Sequence, residues 1–312
     1  MKLLIQIPCF NEEKTLPLVL KSIPKKIKGI NIIDVLVIDD GSIDKTVNIA
    51  KKFRVKYILK NPKNRGLGYS FKRGMNFAIK KNYNILVNTD GDNQYPGKYI
   101  EKLIKPIIDK KADIVIGDRQ INKISHFSRF KKKLQIFGSK IVSWSAGVKI
   151  DDATSGFRAY SRQALLETNP TSRFSYVIDT LIQAGKKGSA ISFVKIEVNK
   201  PTRKSRLAKN TFMHLRELIV NILMVYLLYE PLKVFLFLSF VFFLIGIIPI
   251  FRFLVYFFQG NGSGHIQSLI LGALLCLTGI QFLGIALLGK ILSKQRKLIE
   301  DILLLLKSKN VK

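Results

Sequence analysis

Cysteine is nearly absent. The only two, Cys9 and Cys276, lie in separate apolar runs far apart in the chain, which excludes a disulfide framework and fits a reducing compartment. Both read as packing residues rather than nucleophiles. Acidic charge is scarce too. Against 52 Lys and Arg stand 21 Asp and Glu, a formal net charge of +31, which calls for a polyanionic neighbour, either nucleic acid or anionic lipid. The first apolar run, Leu3 to Ile7, is not followed by a GxGxxG fingerprint, which argues against an NAD or FAD enzyme. Nor does Met1 to Ile7, short and followed by Pro8, read as a secretory leader.

Charge is missing altogether from Ile266 to Leu288, and Leu232 to Phe258 holds only Lys233 and Arg252. Each run exceeds the roughly 20 helical residues needed to cross a hydrocarbon core. Pro249, Gly246 and Arg252 make the first span imperfect, and Arg252 is placed to snorkel to the far interface. The link Gln259 to His265 carries no Lys or Arg, whereas Ser293 to Lys312 carries six. The positive-inside rule then puts both termini in the cytoplasm and the link on the far side of a cell membrane crossed twice. This hairpin turns the charge argument toward an anionic membrane surface and away from nucleic acid. The expected layout is a catalytic domain over residues 1–206, a juxtamembrane amphipathic helix over 207–231, spans over 232–258 and 266–289, and a basic tail over 290–312.

What is present before the spans is an alternation of short apolar runs and helical patterns. Strands are expected at Leu3 to Ile7, Ile32 to Ile38, Lys56 to Leu59, Ile85 to Val87 and Ile114 to Ile116, with helices between them. A βαβ alternation with short connections is the pattern of an α/β domain with a mainly parallel sheet covered on both faces. Two strand ends carry paired acids: Asp39 and Asp40, then Asp90 and Asp92. Strand ends are where such folds place ligands. With Gly91 between them, Asp90 and Asp92 read either as a polar turn or as two carboxylates sharing one hard divalent cation, Mg²⁺ or Mn²⁺. Asp40 can accept hydrogen bonds from a base or ribose, and Arg65, before the third helix, is positioned to meet a phosphate.

In order along the chain stand Pro8-Cys-Phe-Asn11-Glu12-Glu13, Asp39-Asp40-Gly-Ser42, Asn64-Arg65-Gly-Leu-Gly68 and Asp90-Gly-Asp92-Asn-Gln94. This series resembles the family 2 glycosyltransferases of GT-A fold, and within them the polyprenyl-phosphate (dolichol-phosphate) sugar transferases. The resemblance implies a nucleotide-sugar donor. It implies that Asp90, Asp92 and Gln94 match the family's metal-binding DxDxQ pattern, that Asp40 is its nucleotide-contacting acid, and that Pro8, Asn11 and Glu12 line the donor site. Arg119 and Arg129 fall where the family places cations for the lipid phosphate. Asp152, in the run Asp151 to Tyr160, aligns with its proposed general base. Lys200, Arg203, Ser205 and Arg206 stand where the family carries a basic segment around a glycine; this chain lacks that glycine, and Arg203 and Arg206 are the donor-side candidates.

Phe127, Phe130, Leu134, Phe137, Ile141 and Trp144 recur three and four residues apart, interleaved with Arg129, Lys131, Lys132, Lys133 and Lys140. A basic amphipathic helix of this kind, over about 124–145, belongs in a membrane interface rather than on the protein's own sheet. The expected function is therefore an inverting transfer of one sugar from a nucleotide sugar to a polyprenyl phosphate at the cytoplasmic membrane face, and an oligomer is compatible with it. A lipid phosphate is already ionised near neutral pH, its second pKa being about 6, so as nucleophile it hardly needs a base. Asp152 then orients the acceptor or balances the arginines. A lipid hydroxyl acceptor would need Asp152 as base. A processive synthase would carry a QxxRW motif, and the single Trp144 is not in one. A non-catalytic membrane adaptor would have no use for paired acids at strand ends.

Overall fold

The computed structural model describes residues 1–124, 127–170, 176–200, 220, 223–224, 226–227 and 229–309. They form two units, Met1–Ile222 with Leu303–Lys312, and Leu223–Ile302. The first is built on a seven-stranded sheet of order β3-β2-β1-β4-β6-β5-β7. Its strands are β1 Lys2–Cys9, β2 Ile32–Asp39, β3 Tyr57–Lys60, β4 Ile85–Asn88, β5 Ile114–Asp118, β6 Arg158–Ser161 and β7 Ile191–Lys195. All neighbours are parallel except β6, which runs antiparallel to both β4 and β5. The expected alternation gives β1 to β5 in order. Strand β6 interrupts the parallel run.

The helices are α1 Leu16–Ser22, α2 Thr46–Lys52, α3 Leu67–Lys80, α4 Ile100–Ile108, α5 Arg129–Ala146, α6 Arg162–Glu167 and α7 Tyr176–Lys187. Successive β1 residues point to opposite faces. Leu3, Ile5 and Ile7 join a core with Leu16 and Val19 of α1 and Leu103, Ile104 and Ile107 of α4. On α3, Phe71 is fully buried and stacks on Tyr176 at 4.2 Å and against Tyr160 at 5.5 Å. Truncating such a ring to Ala costs about 3–5 kcal/mol. Strands apolar on both faces are what a sheet covered on both sides requires. Because β1, β2, β4 and β5 run the same way, their carboxyl ends share one edge.

Helix α5 starts at Arg129, after a 3₁₀ turn at Ile121–Lys123, and Ser128 caps it by accepting Lys131 N–H at 3.2 Å. Its buried face is small: Gly138, Ser139, Val142, Ser145 and Ala146. Ala146 meets Gly185 of α7 so closely that a Cβ there would lie 2.3 Å from Ala146 O. Phe130, Phe137 and Trp144, seven residues apart, are 63, 62 and 69% exposed. These three residues of the apolar stripe face outward, while Phe127, Leu134 and Ile141 are half-buried.

In the second unit, helix Pro231–Phe258 and the first part of helix Ile266–Lys309 are joined through a turn at Gly262–His265. Both are long and apolar enough to cross a membrane, and only 11% and 17% of their most apolar windows are buried, unlike a soluble core helix. Small residues bring the backbones together: a Cβ on Gly246 would lie 2.9 Å from Cys276 Sγ, and Ser239 Oγ donates to Gly279 O at 2.7 Å. The second helix runs on through the stretch expected as a tail, as far as Lys309. Most of the expected juxtamembrane helix over 207–231 lies outside the described residues.

Candidate active site

The loops leaving β1 and β2 are stitched together at the carboxyl edge of the sheet. Asn11, at φ +56°, receives Ile43 N–H on its side-chain oxygen at 2.9 Å and donates its own N–H to Ser42 Oγ at 2.9 Å. Glu12 N–H donates to Thr46 Oγ1 at 2.8 Å, and its carboxylate accepts Thr15 Oγ1 at 2.7 Å. Asp40 is buried, and its carboxylate receives Asn61 Nδ2 at 2.6 Å, Arg65 N–H at 3.0 Å and Gly66 N–H at 2.8 Å. It thus shapes the loop before α3. Arg65 projects from that loop with its guanidinium 4.5 Å over the Tyr69 ring.

At the end of β4, Asp90 is half-buried, and Asp92 accepts Gln94 N–H at 3.1 Å and Gln94 Nε2 at 2.9 Å. Gly91 is required by close approach, since a Cβ would lie 2.9 Å from Cys9 Sγ. Burial pushes the Cys9 thiol up, and the charges of Glu12, Asp39, Asp90 and Asp44 push the same way. The carboxylates of three separate loops therefore converge around one neutral, packed thiol. Among the described residues no group of three or more His, Cys, Asp or Glu forms a closed metal cage. Two carboxylates and one amide suit a hard divalent cation that takes its remaining oxygens from a ligand. The space fits as well: beside Asp90 lies Gly156, where a Cβ would come within 3.3 Å of the carboxylate.

The end of β5 supplies the cation. Arg119 grips Asp152 with two parallel bonds, Nε to Oδ2 at 2.7 Å and Nη2 to Oδ1 at 2.9 Å, and its Nη2 also donates to Thr154 Oγ1. The side chains are 10% and 0% exposed. Burial works to raise the Asp152 carboxyl, but Arg119 outweighs it and holds the pKa below its ordinary value of 3.8. Burial likewise opposes the Arg119 charge, while Tyr95, Asp152 and Asp90 keep the guanidinium protonated. Burial drives the Tyr95 hydroxyl up to about 12, and it senses Arg119, Asp90 and Asp152 as well. The two ends of the edge thus form one electrostatic cluster.

Arg129 is the exposed first residue of α5. Lys131, counted in the sequence only among the lysines of the stripe, has its pKa lowered by burial and by the Arg119 charge, and its ammonium lies 3.9 Å over the Phe127 ring. Its place two residues into a basic helix carries no signal that separates it from Lys132 or Lys133. Tyr95 and Gly156 were also passed over. Arg203 and Arg206 lie outside the described residues; just before them, Asn199 joins the β4 loop by donating its side chain to Asn93 O at 2.8 Å.

The model of glycosyl transferase family 2 matches residues 4–168, which spans β1 to α6 and all of this strand-edge cluster. The chain is a family 2 glycosyltransferase. The polyprenol monophosphomannose synthase of Mycolicibacterium smegmatis is 25% identical to it over 230 residues, 70% of this chain and 84% of that protein. The undecaprenyl-phosphate mannosyltransferase of Micrococcus luteus is 27% identical over 206 residues, covering 63% and 83%. In architecture the glycosyltransferase is similar to glucosyl-3-phosphoglycerate synthase from Mycobacterium tuberculosis in complex with Mn²⁺, UDP and glucosyl-3-phosphoglycerate. That likeness has a TM-score of 0.56 at 18% identity and covers 72% of this chain and 78% of the other.

Proposed function

We propose that this glycosyltransferase moves one sugar from a nucleoside diphosphate sugar to the phosphate of a polyprenol at the cytoplasmic membrane face, inverting the anomeric configuration. The observation that carries this reading is the Arg119–Asp152 pair: a buried, charged arginine at the same sheet edge as Asp90 and Asp92, with its acid partner already committed. The relatives named for polyprenyl phosphate acceptors support it.

Asp90, Asp92 and Gln94 would hold a divalent cation, Mg²⁺ or Mn²⁺, which when bound neutralises charge on the donor phosphates. Pro8, Asn11 and Glu12 line the donor side, Asp40 shapes the loop that closes it, and Arg65 faces its open rim. Arg203 and Arg206 are donor-side candidates by sequence alone. The acceptor phosphate meets Arg119, with Lys131 and Arg129 adding positive charge. A phosphate oxygen of the lipid forms a bond to the anomeric carbon, and the bond to the donor's β-phosphate oxygen breaks, its electron pair leaving with the nucleoside diphosphate. Orientation and fixed charge supply most of the acceleration. Asp152 keeps Arg119 aimed and charged. A hydroxyl acceptor would need it as base, and a carboxylate of depressed pKa with both oxygens engaged is poorly suited to that.

The stripe Phe130, Phe137 and Trp144 with its lysines lies in an anionic membrane surface, and the two apolar helices anchor the chain. The test is to incubate purified full-length protein in undecaprenyl-phosphate nanodiscs with a panel of radiolabelled UDP- and GDP-sugars. One donor should yield a labelled lipid that mild acid hydrolyses, as expected of a glycosyl phosphate. An acid-stable lipid product would refute the phosphate acceptor.

A further inference from the structure

Between the acids at the end of β4 and the Arg119–Asp152 pair runs one short segment, Asp152 to Arg158, which contains Gly156. The main chain of Gly156 is held from two sides. Its carbonyl accepts Asn88 Nδ2 at 2.8 Å, and its N–H donates to Tyr95 Oη at 3.2 Å. Asn88 is in turn fixed, its Oδ1 receiving Gln6 Nε2 at 2.9 Å and its Nδ2 reaching Tyr176 Oη at 3.1 Å. Tyr95 is stacked on Phe157 with ring centres 5.2 Å apart.

The ends of the segment are pinned as well. Asp152 is gripped by Arg119. Arg158, fully buried, donates to Ala153 O at 2.9 Å, Ser155 O at 2.8 Å, Val177 O at 2.6 Å and Thr180 Oγ1 at 3.1 Å. A guanidinium that gathers carbonyls from within its own segment fixes the backbone path between them. Against this backbone lies the Asp90 carboxylate: a Cβ on Gly156 would stand 3.3 and 3.4 Å from its two oxygens. The segment cannot shift without breaking one of these bonds, so a Cβ on Gly156 would push the Asp90 carboxylate by a few tenths of an ångström.

We propose that Gly156, clamped by Asn88 and Tyr95, is a positioning residue for Asp90 that sets divalent-cation affinity from the acceptor side of the site. This rests on the reading of Asp90 and Asp92 as cation ligands. Ligand distances are tolerated only within about 0.2 Å, and partners that orient metal ligands change affinity by about 10- to 100-fold when altered. A few tenths of an ångström of displacement at Asp90 is therefore enough to be measured. The arrangement also explains why Asn88, a polar residue fully buried at the end of β4, stands where an apolar side chain would pack as well.

The experiment is a Mn²⁺ titration of the full-length protein in detergent, with UDP or GDP present, following free Mn²⁺ by electron paramagnetic resonance. Gly156→Ala should weaken Mn²⁺ binding about 10-fold or more, and Tyr95→Phe, which removes the acceptor of the Gly156 N–H, about 3-fold or more. Tyr160→Phe is the control, because the buried Tyr160 hydroxyl makes no hydrogen bond; its affinity should stay within about twofold of wild type. Should Gly156→Ala fail to fold, Tyr95→Phe decides. Wild-type affinity in Tyr95→Phe, or equal weakening in Tyr160→Phe, overturns the clamp. A wild-type protein that binds no Mn²⁺ with either nucleotide overturns the cation reading itself, which is a distinguishable failure.

Discussion

Replacing Asp152 with Asn separates two roles that the same residue could play. The carboxylate is fully buried and its partner Arg119 is 10% exposed, so the substitution leaves a guanidinium without its counter-charge where water reaches it poorly. Breaking such a pair costs about 3–5 kcal/mol. For a unit of this size that corresponds to a fall in Tm of about 6–20 °C. The sign with pH follows from the depressed carboxyl: in acid the unfolded chain takes up the proton first, so the pair's contribution is complete above about pH 5 and fades as pH falls through the folded pKa. The Tm gap between wild type and Asp152→Asn should hence be constant from pH 6 to 9 and close in acid. On activity, loss of a general base lowers turnover by about 10²–10⁴. An orienting carboxylate predicts a raised KM for the lipid and a kcat within about 10-fold of wild type, since the amide still accepts one Arg119 N–H. Steady-state transfer in nanodiscs with varied polyprenyl phosphate reads both. A kcat loss of about 10³ or more with unchanged substrate affinities would refute the orienting role.

Asp92→Ala should abolish metal-dependent nucleotide binding, measured by calorimetry, while far-UV circular dichroism stays that of wild type. Arg119→Lys loses the two-pronged grip on Asp152 and should raise the KM for lipid phosphate by about 10-fold or more, with nucleotide affinity changed less than about twofold. Trp144 is the only tryptophan and is 69% exposed; in nanodiscs with brominated acyl chains its fluorescence should be quenched and blue-shifted, and emission typical of water would remove α5 from the interface.

The parallel half of the sheet was legible because β1, β2, β4 and β5 are mostly apolar runs, each followed by a short polar segment. Strand β6 was not, since its first residue is Arg158, and a lone arginine reads as surface until its four oxygen partners are brought around it by the fold. The acids at Asp90 and Asp92 announced themselves by standing one residue apart at a strand end. The pairing of Arg119 with Asp152 spans 33 residues and depends on β6 lying between β4 and β5, which no local pattern encodes. The Asp40 carboxylate shows the converse: its place at a strand end was legible, but its use in holding the Arg65 loop depends on Asn61 and Gly66 arriving from beyond β3. Helix α5 was legible as a periodicity. Which of its faces looks outward depended on the small residues that dock it on α7.

The central claim is that the lipid phosphate itself is the nucleophile and needs no base from the protein. Transfer should be compared between nanodiscs carrying a polyprenyl phosphate and nanodiscs carrying the corresponding free polyprenol at equal density, with the same donor sugar. The account predicts labelled product from the phosphate alone, with the anomeric configuration inverted. Comparable transfer to the free alcohol would contradict it and make Asp152 the base.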